Sequence, residues 1–148
     1  MAEIYDILVV GAGPGGLAAG IYGSRARLKT AVVEKGRPGG QAATTMEMEN
    51  YPGFYNESTG PGIMKEFAAH AEHFGTEILK GTVVDVQLDG AIKKVSCKDG
   101  TEYQGRSVIF SPGAEPRSLN IKGEGKLRGK GVSYCATCDG GFLRKKTT

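Results

Sequence analysis

The sequence predicts an α/β fold in which a parallel sheet is followed by an antiparallel β-meander. The first observation is a strand, a glycine-rich turn, a helix and a second strand within about 30 residues, which together form one parallel βαβ unit. The second is a run of short β-rich segments joined by Asp-Gly pairs, the pattern of antiparallel hairpins. At 148 residues, the chain has room for one domain and little of a second.

The βαβ unit comprises a strand at Ile4–Val10, a helix at Leu17–Ser24 and a strand at Thr30–Glu34. Both strands are short, mainly apolar runs, typical of parallel strands buried on both faces. A loop-rich segment, Gly36–Pro61, comes next. An amphipathic helix at Ile63–Phe74 then ends at Gly75, which suits a helix C-terminus, and its apolar stripe is Ile63, Phe67, Ala71 and Phe74.

The second half of the sequence is β-rich. Asp89-Gly90 and Asp99-Gly100 predict hairpin turns between strands. The predicted strands are Thr76–Leu79, Val83–Leu88, Ile92–Cys97, Thr101–Gln104 and Ser107–Phe110. We expect a domain over residues 1–116, a Gly/Lys-rich linker over 117–131 and the start of a second domain over 132–148.

Composition and charge exclude several classes of protein. No apolar run approaches the ~18 residues of a membrane span, and we see no secretory signal. Three cysteines are too few for a disulfide framework, so we expect a reducing, cytoplasmic compartment. Residues 117–148 hold 8 of the 19 basic side chains but are interleaved with glycine and lack aromatic stacking platforms, so we do not expect nucleic-acid binding. The 24 glycines show no collagen period and indicate turns or close backbone approach to a ligand.

The turn after the first strand carries Gly11-x-Gly13-x-x-Gly16 and opens a helix. The first glycine allows the tight turn, the second lets the backbone approach a pyrophosphate, and the third allows close helix packing. The helix start, with Pro14 and Gly15, supplies free N–H groups and a positive dipole end. Glu34 closes the second strand, where a carboxylate accepts ribose hydroxyls and repels a 2′-phosphate. The pattern predicts a Rossmann-like site for FAD or NAD rather than NADP; the alternative is that the glycines only form a tight turn.

A C-x-x-C pair followed by an acid, Cys135-Ala-Thr-Cys138-Asp139, is the second motif. Two thiols at this spacing can close a small disulfide ring, and the pair can lower one thiol pKa and favour exchange. The adjacent Asp139 could move a proton to or from the leaving thiolate. The pattern therefore predicts a redox-active pair.

Two other interpretations of the pair stay open. His70 and His73 could complete a zinc site with the cysteine pair. They precede the cysteines by about 60 residues, however, whereas the ligands of compact zinc sites lie much closer in sequence, and we expect both histidines on the solvent-exposed face of a helix. The pair could also be structural and inert. Cys97 lies in a strand-like run, so we expect it to be buried and uninvolved.

Together the motifs resemble the low-molecular-weight thioredoxin reductases, which are pyridine nucleotide-disulfide oxidoreductases. The resemblance reaches at least Phe142, and its most specific element is the string Cys-Ala-Thr-Cys-Asp-Gly at 135–140. The other elements are Pro38-Gly-Gly-Gln41 with Ala42–Thr45, Glu49-Asn-Tyr-Pro-Gly-Phe54 and Ser111-Pro-Gly-Ala-Glu-Pro-Arg117. It implies a Rossmann-like, three-layer ββα FAD-binding domain with a β-meander, incomplete in this chain, and a family that is usually homodimeric.

The resemblance assigns roles to residues of this chain. The glycine turn and Glu34 would hold the ADP half of FAD. The remaining cofactor contacts would be flavin-lining Gly39, Gly40, Gln41 and Asn50, the Val84 backbone at the adenine, and Gly113 near the pyrophosphate.

The resemblance also implies a relay in which NADPH reduces FAD, FAD reduces the Cys135–Cys138 disulfide, and the dithiol reduces thioredoxin. Cys138 would face the flavin, Cys135 would attack the partner disulfide, and Asp139 would be the acid–base residue. No metal is implied.

The sequence departs from the family pattern in length. It contains neither the second glycine fingerprint of the NADPH domain nor the family's C-terminal Gly-Asp segment, and residues 144–148 resemble a truncation or frameshift tail. We therefore expect the N-terminal half of a thioredoxin reductase, unable to run the NADPH-dependent cycle alone. The alternatives are a non-catalytic FAD-binding fragment and a related flavin disulfide reductase with another donor or acceptor. The flavoprotein component of alkyl hydroperoxide reductase fits less well, because the fingerprint already starts at Gly11.

Overall fold

The computed structural model describes residues 3–56, 59–128, 130–136 and 140. The chain divides into two compact units, Met1–Gly113 and Ala114–Thr148. The first unit contains strands β1 (Ile4–Val10), β2 (Thr30–Glu34), β3 (Glu77–Lys80), β4 (Val83–Gln87), β5 (Lys93–Cys97) and β6 (Glu102–Phe110), helices α1 (Pro14–Arg25) and α2 (Gly60–His73), and a 3₁₀ helix (Gly40–Thr44). The second contains the short helix α3 (Glu124–Leu127).

The six strands form one mixed sheet in the order β3-β2-β1-β6-β5-β4. The strands β3, β2, β1 and β6 run parallel to their neighbours, with Val9 paired to Val32 of β2 and to Ile109 of β6. The strands β4, β5 and β6 pair in antiparallel fashion and form the meander. This arrangement confirms the predicted α/β class with a Rossmann-like parallel sheet and a β-meander.

Two apolar clusters show that the parallel strands are covered on both faces. On one face, Val9 and Val32 pack with Leu17 and Ile21 of α1 and Ala71 of α2. On the other face, strand residues pack against the meander: Tyr5, Leu8, Ala31 and Val95 are buried together, with Val86 and Tyr103 against them. Helices, parallel strands and meander therefore form three layers. Burial on both faces explains why β1 and β2 are mainly apolar.

Both longer helices begin three residues earlier than the sequence analysis predicts. Helix α1 starts at Pro14, where the fixed proline φ suits the first turn and the missing N–H would be unpaired in any case. Helix α2 starts at Gly60, because Thr59 is its N-cap and accepts the Gly62 N–H at 3.1 Å on Oγ1. The prediction of a loop over Gly36–Pro61 was therefore wrong at its C-terminal end, where α2 has already begun. It also did not include the 3₁₀ helix at Gly40–Thr44.

The predicted strands Thr101–Gln104 and Ser107–Phe110 are one continuous strand, β6. Its first residues pair with β5 and its later residues with β1, so a single strand belongs to both the meander and the parallel sheet. Gly105 separates the two segments in the sequence but not in space. A Cβ there would lie 2.9 Å from Leu8 Cγ, so close packing on β1 explains this glycine rather than a turn.

Helix α2 buries Ile63 and Ala71 as its stripe predicts, but Phe74 is 38% exposed. Phe74 is the C-cap residue, where the helix has ended, and its ring lies between His70 and His73 with centroids 5.2 Å from each. No helix within the described ranges is long and apolar enough to cross a bilayer.

Candidate functional site

The glycine turn between β1 and α1 is held by close backbone contacts at its two ends. Gly11 has φ +99°, and a Cβ there would lie 2.2 Å from the Ser111 carbonyl oxygen. A Cβ on Gly16 would lie 1.8 Å from the Gly11 carbonyl oxygen. The fold itself therefore requires glycine at both positions, whether or not a ligand binds.

Gly13 differs from these two, because no described residue lies close enough to exclude a side chain there. It is the N-cap of α1 with an ordinary φ of −71°, and the nearest atom to an added Cβ would be Gly40 Cα at 4.0 Å. Gly13 is half-buried, and Pro14 and Gly15 are exposed. Bare backbone, free helical N–H groups and open space meet here, which suits a pyrophosphate that must approach the chain closely.

Glu34 lies at the carboxyl end of β2, beside this turn. Its Oε2 accepts the Ala12 N–H at 2.7 Å and its Oε1 accepts the Gly36 N–H at 2.9 Å. These two bonds fix the carboxylate while leaving each oxygen further lone-pair capacity. A half-buried, oriented carboxylate at this point can accept hydrogen bonds from two vicinal hydroxyls of a ribose.

A cleft of about 210 Å³ connects Gly11 and Glu34 at the carboxyl ends of β1 and β2. In open α/β sheets, ligands bind in such a crevice outside the strand ends. The strand order places β2 and β6 on opposite sides of β1, so this is the switch point of the sheet. The lining residues are Val10, Gly11, Val33, Glu34, Lys35, Gly81, Thr82, Val83 and Pro112.

The β3–β4 connection supplies one wall of this cleft, which sequence reasoning located only in part. Val83 lines the cleft, whereas Val84, the expected adenine contact, is the next residue and is 62% exposed. Gly81 lies in this wall, and a Cβ there would lie 2.5 Å from the Cys97 Sγ, a contact that the sequence alone does not indicate. Cys97 is buried and free as expected, and burial raises the pKa of its thiol, so it stays protonated.

Gly39 and Gly40 lie against the glycine turn. Gly39, at φ +125°, donates its N–H to the Ala12 carbonyl oxygen at 2.7 Å, and a Cβ on Gly40 would lie 3.1 Å from Gly13 Cα. The structure thus brings these two glycines to the predicted nucleotide site. The remaining predicted cofactor residues, Gln41, Asn50 and Gly113, are exposed.

The second unit carries the cysteine motif, of which Cys135 is described. Cys135 is disulfide-bonded. Its N–H is donated to the Ser133 Oγ at 3.1 Å, and the Ser133 hydroxyl is also within 3.2 Å of the Cys135 carbonyl oxygen. Cys138 and Asp139, the other predicted redox residues, lie outside the described residues.

Glu124 organises the segment that precedes the cysteine motif. Its side chain accepts hydrogen bonds from the Ser118 hydroxyl at 2.7 Å and from the Leu119 and Ile121 N–H groups at 3.1 and 3.3 Å. These donors, the Ser118 hydroxyl above all, hold the pKa of the Glu124 carboxyl below its usual range. The expected linker is therefore a hydrogen-bonded segment around α3.

The zinc interpretation receives no geometric support from the part of the chain that the structure describes. His70 and His73 are exposed on α2, as expected. No group of three or more His, Cys, Asp or Glu side chains among the described residues could hold a metal ion.

Comparisons with known proteins agree on one family. The model of the family described as pyridine nucleotide-disulphide oxidoreductase matches residues 5–147. Thioredoxin reductases of Peptoclostridium acidaminophilum and Bacillus subtilis are 46% and 45% identical to the chain, and each alignment covers 97% of this chain and 45% of the relative. The chain therefore spans about half the length of the curated relatives it matches.

Solved structures give the same result. Thioredoxin reductase from Streptococcus pyogenes superimposes with a TM-score of 0.83 at 38% identity, over 97% of this chain and 46% of that one. A ferredoxin-flavin thioredoxin reductase from Clostridium acetobutylicum superimposes with a TM-score of 0.68 at 29% identity, over 97% and 49%.

Proposed function

The chain belongs to the pyridine nucleotide-disulphide oxidoreductase family, and on that premise we propose that it is the FAD-binding and disulfide-bearing part of a thioredoxin reductase. The proposal is supported by curated relatives of that name at 45–46% identity. Because the chain spans about half of them, we assign it the flavin site and the cysteine pair. The steps that use NADPH are proposed for a protein of the relatives' length.

The observation that carries the proposal is the cleft between the glycine turn and Glu34. The open backbone at Gly13 fits a pyrophosphate, and the fixed carboxylate of Glu34 fits ribose hydroxyls. The same carboxylate would repel a 2′-phosphate at close range, which favours FAD over NADP here. The Gly39–Gly40 pair beside the turn supports a cofactor that extends along the 3₁₀ helix toward residues such as Gln41.

The cysteine pair supplies the disulfide chemistry in this proposal. When bound, FAD would supply the two-electron chemistry that links NADPH to the disulfide. In the reduced pair, the Cys135 thiolate attacks the thioredoxin disulfide and forms a mixed disulfide, which the Cys138 thiolate then resolves. Two electrons and two protons pass to thioredoxin, and Asp139 is the residue placed by sequence to transfer a proton.

A complementation experiment tests the proposal. The chain is mixed with FAD, thioredoxin and the separately expressed C-terminal part of the Bacillus subtilis relative, and NADPH oxidation is followed. We expect activity in the mixture and none with either part alone. Cys135→Ser should abolish thioredoxin reduction and leave FAD uptake unchanged. A mixture that binds FAD but never oxidises NADPH would instead favour a non-catalytic flavin-binding protein.

A related reductase with a different electron donor is the second candidate. The similarity to the ferredoxin-flavin thioredoxin reductase of Clostridium acetobutylicum supports it, at 29% identity against 46% for the first relative. A parallel mixture with the C-terminal part of that protein, driven by reduced ferredoxin, distinguishes the two. Activity in this mixture alone would favour the second candidate.

A further inference from the structure

The Ser133 side chain restrains the backbone at Cys135. The Ser133 Oγ accepts the Cys135 N–H at 3.1 Å and lies 3.2 Å from the Cys135 carbonyl oxygen, to which it can donate. A serine hydroxyl that binds the N–H two residues ahead closes a tight local turn and restricts the backbone between them. The geometry of Cys135 therefore depends on a hydroxyl group two residues earlier.

The turn is itself anchored to the second unit. Tyr134, between Ser133 and Cys135, accepts the Leu119 N–H on its hydroxyl at 3.4 Å, and the Arg128 guanidinium lies 5.1 Å from its ring centroid. The Val132 N–H is donated to the Leu127 carbonyl oxygen at 2.9 Å. The turn is thus attached at Val132 and Tyr134, the residues on either side of Ser133.

A restricted backbone at a cysteine affects how readily its disulfide forms. Holding a thiol in bonding geometry raises its effective concentration toward its partner thiol, because less conformational freedom remains to be lost when the bond forms. Cys135 is disulfide-bonded in the structure that shows the Ser133 contacts. The contacts are thus present in the oxidised form, where a restricted backbone favours closure of the disulfide.

We propose that Ser133 is a positioning residue that sets how readily the Cys135 disulfide is reduced. The proposal rests on the proposed redox function for its purpose, but it concerns a thiol–disulfide equilibrium that needs neither FAD nor NADPH. In that equilibrium two glutathione molecules break the Cys135 disulfide, yielding two thiols in the protein and one glutathione disulfide. Two electrons and two protons pass from glutathione to the protein.

The test measures the equilibrium constant of this reaction in the full chain. The chain is equilibrated in glutathione buffers, free thiols are alkylated, and the reduced and oxidised forms are quantified by mass spectrometry. Loss of one hydrogen bond worth about 1 kcal/mol should make the Ser133→Ala disulfide about fivefold easier to reduce. That ratio corresponds to a reduction potential about 20 mV higher. Ser133→Thr keeps the hydroxyl and should restore the wild-type constant within about twofold.

Ser107→Ala is the matched control, since it removes a serine hydroxyl that donates to a backbone carbonyl, that of Asp6 at 2.7 Å, in the other unit. Its equilibrium constant should equal that of wild type. The inference is wrong if Ser133→Ala leaves the constant unchanged or if Ser133→Thr behaves like Ser133→Ala. FAD uptake is recorded separately for each variant and should not change. A failure of the proposed flavin binding can therefore be distinguished from a failure of the role proposed for Ser133.

Discussion

Among the described residues, the atom nearest to a methyl group at Gly13 would be Gly40 Cα at 4.0 Å, whereas a methyl group at Gly16 would lie 1.8 Å from the Gly11 carbonyl oxygen. The sequence pattern treats these glycines alike, but the structure separates their roles. Gly16 is required by the contact of helix and strand, and Gly13 keeps open the space where we place the pyrophosphate.

Gly13→Ala should therefore mainly weaken FAD binding, whereas Gly16→Ala should mainly lower the stability of the fold. We expect Gly13→Ala to lower the free energy of unfolding by less than about 1 kcal/mol, the scale of an N-cap change, and to weaken FAD binding at least about tenfold. Gly16→Ala should cost about 3 kcal/mol or more, because backbone must move. Urea denaturation and FAD titration measure both effects. Unchanged FAD affinity in Gly13→Ala would contradict the location of the pyrophosphate.

Arg27 adopts a left-handed conformation, with φ +62°, just after α1. The N–H groups of Arg27 and Leu28 bind the carbonyl oxygens of Ser24 and Gly23, the hydrogen-bond pattern of a Schellman motif. Helix α2 ends in the same way with Gly75 at φ +93°. We predict that Arg27→Gly raises the free energy of unfolding by about 1 kcal/mol, since glycine has no left-handed penalty.

Arg25→Gly is the matched control for that prediction, because Arg25 is the last residue of the same helix. Glycine within a helix should lower the free energy of unfolding by about 1 kcal/mol. If both substitutions lower stability in urea denaturation, the proposed strain at Arg27 is wrong.

Residue roles were predictable where chemistry depends on local sequence. Glu34 was found because a carboxylate closing the second strand has a known use, and the structure places it beside the glycine turn. Thr82 and Pro112 were missed because they reach the cleft only through tertiary folding. The contact between Ser133 and Cys135 is only weakly indicated by the sequence, through a serine two residues before a predicted redox cysteine.

At the scale of elements, α2 depends on its N-cap. Thr59→Ala removes the bond from the Gly62 N–H to Oγ1, and we expect a loss of about 1 kcal/mol in the free energy of unfolding. Thr59→Ser keeps the acceptor and should stay close to wild type. Chemical denaturation followed by circular dichroism measures both, and equal losses in the two variants would show that the hydroxyl does not cap the helix.

Strands were predicted better than helix starts, for a physical reason. β1 and β2 agree with their predicted limits because each is a mainly apolar segment between polar or glycine residues. The continuity of β6 was not predictable locally, because Gly105 resembles a turn residue until its contact with Leu8 is known. The start of α2 was predictable from Thr59 and the proline two residues later, a start signal that the hydrophobic stripe obscured.

At the scale of the whole molecule, protonation of Glu124 at acidic pH should weaken the hydrogen bonds that hold the second unit together. Its hydrogen bonds lower the folded pKa below the unfolded value, so their stabilisation is present above the ordinary glutamate pKa of about 4.3 and is lost as the pH falls through the folded value. We expect the amide resonances of Leu119 and Ile121 to shift in that acidic range. Glu124→Gln should remove this titration; an identical titration in that variant would assign it to another group.

The parallel sheet, the meander and the cleft form within residues 1–113, so the proposed flavin site is built largely from one unit. FAD uptake by the chain itself is therefore the most direct test of the proposed function. Titration of the purified chain with FAD, followed by flavin fluorescence and the visible spectrum, should show saturable binding of one FAD per chain. Glu34→Gln should weaken it, and Glu102→Gln, which changes an exposed carboxyl on β6, should not. A chain that is folded by circular dichroism but takes up no FAD would contradict the account.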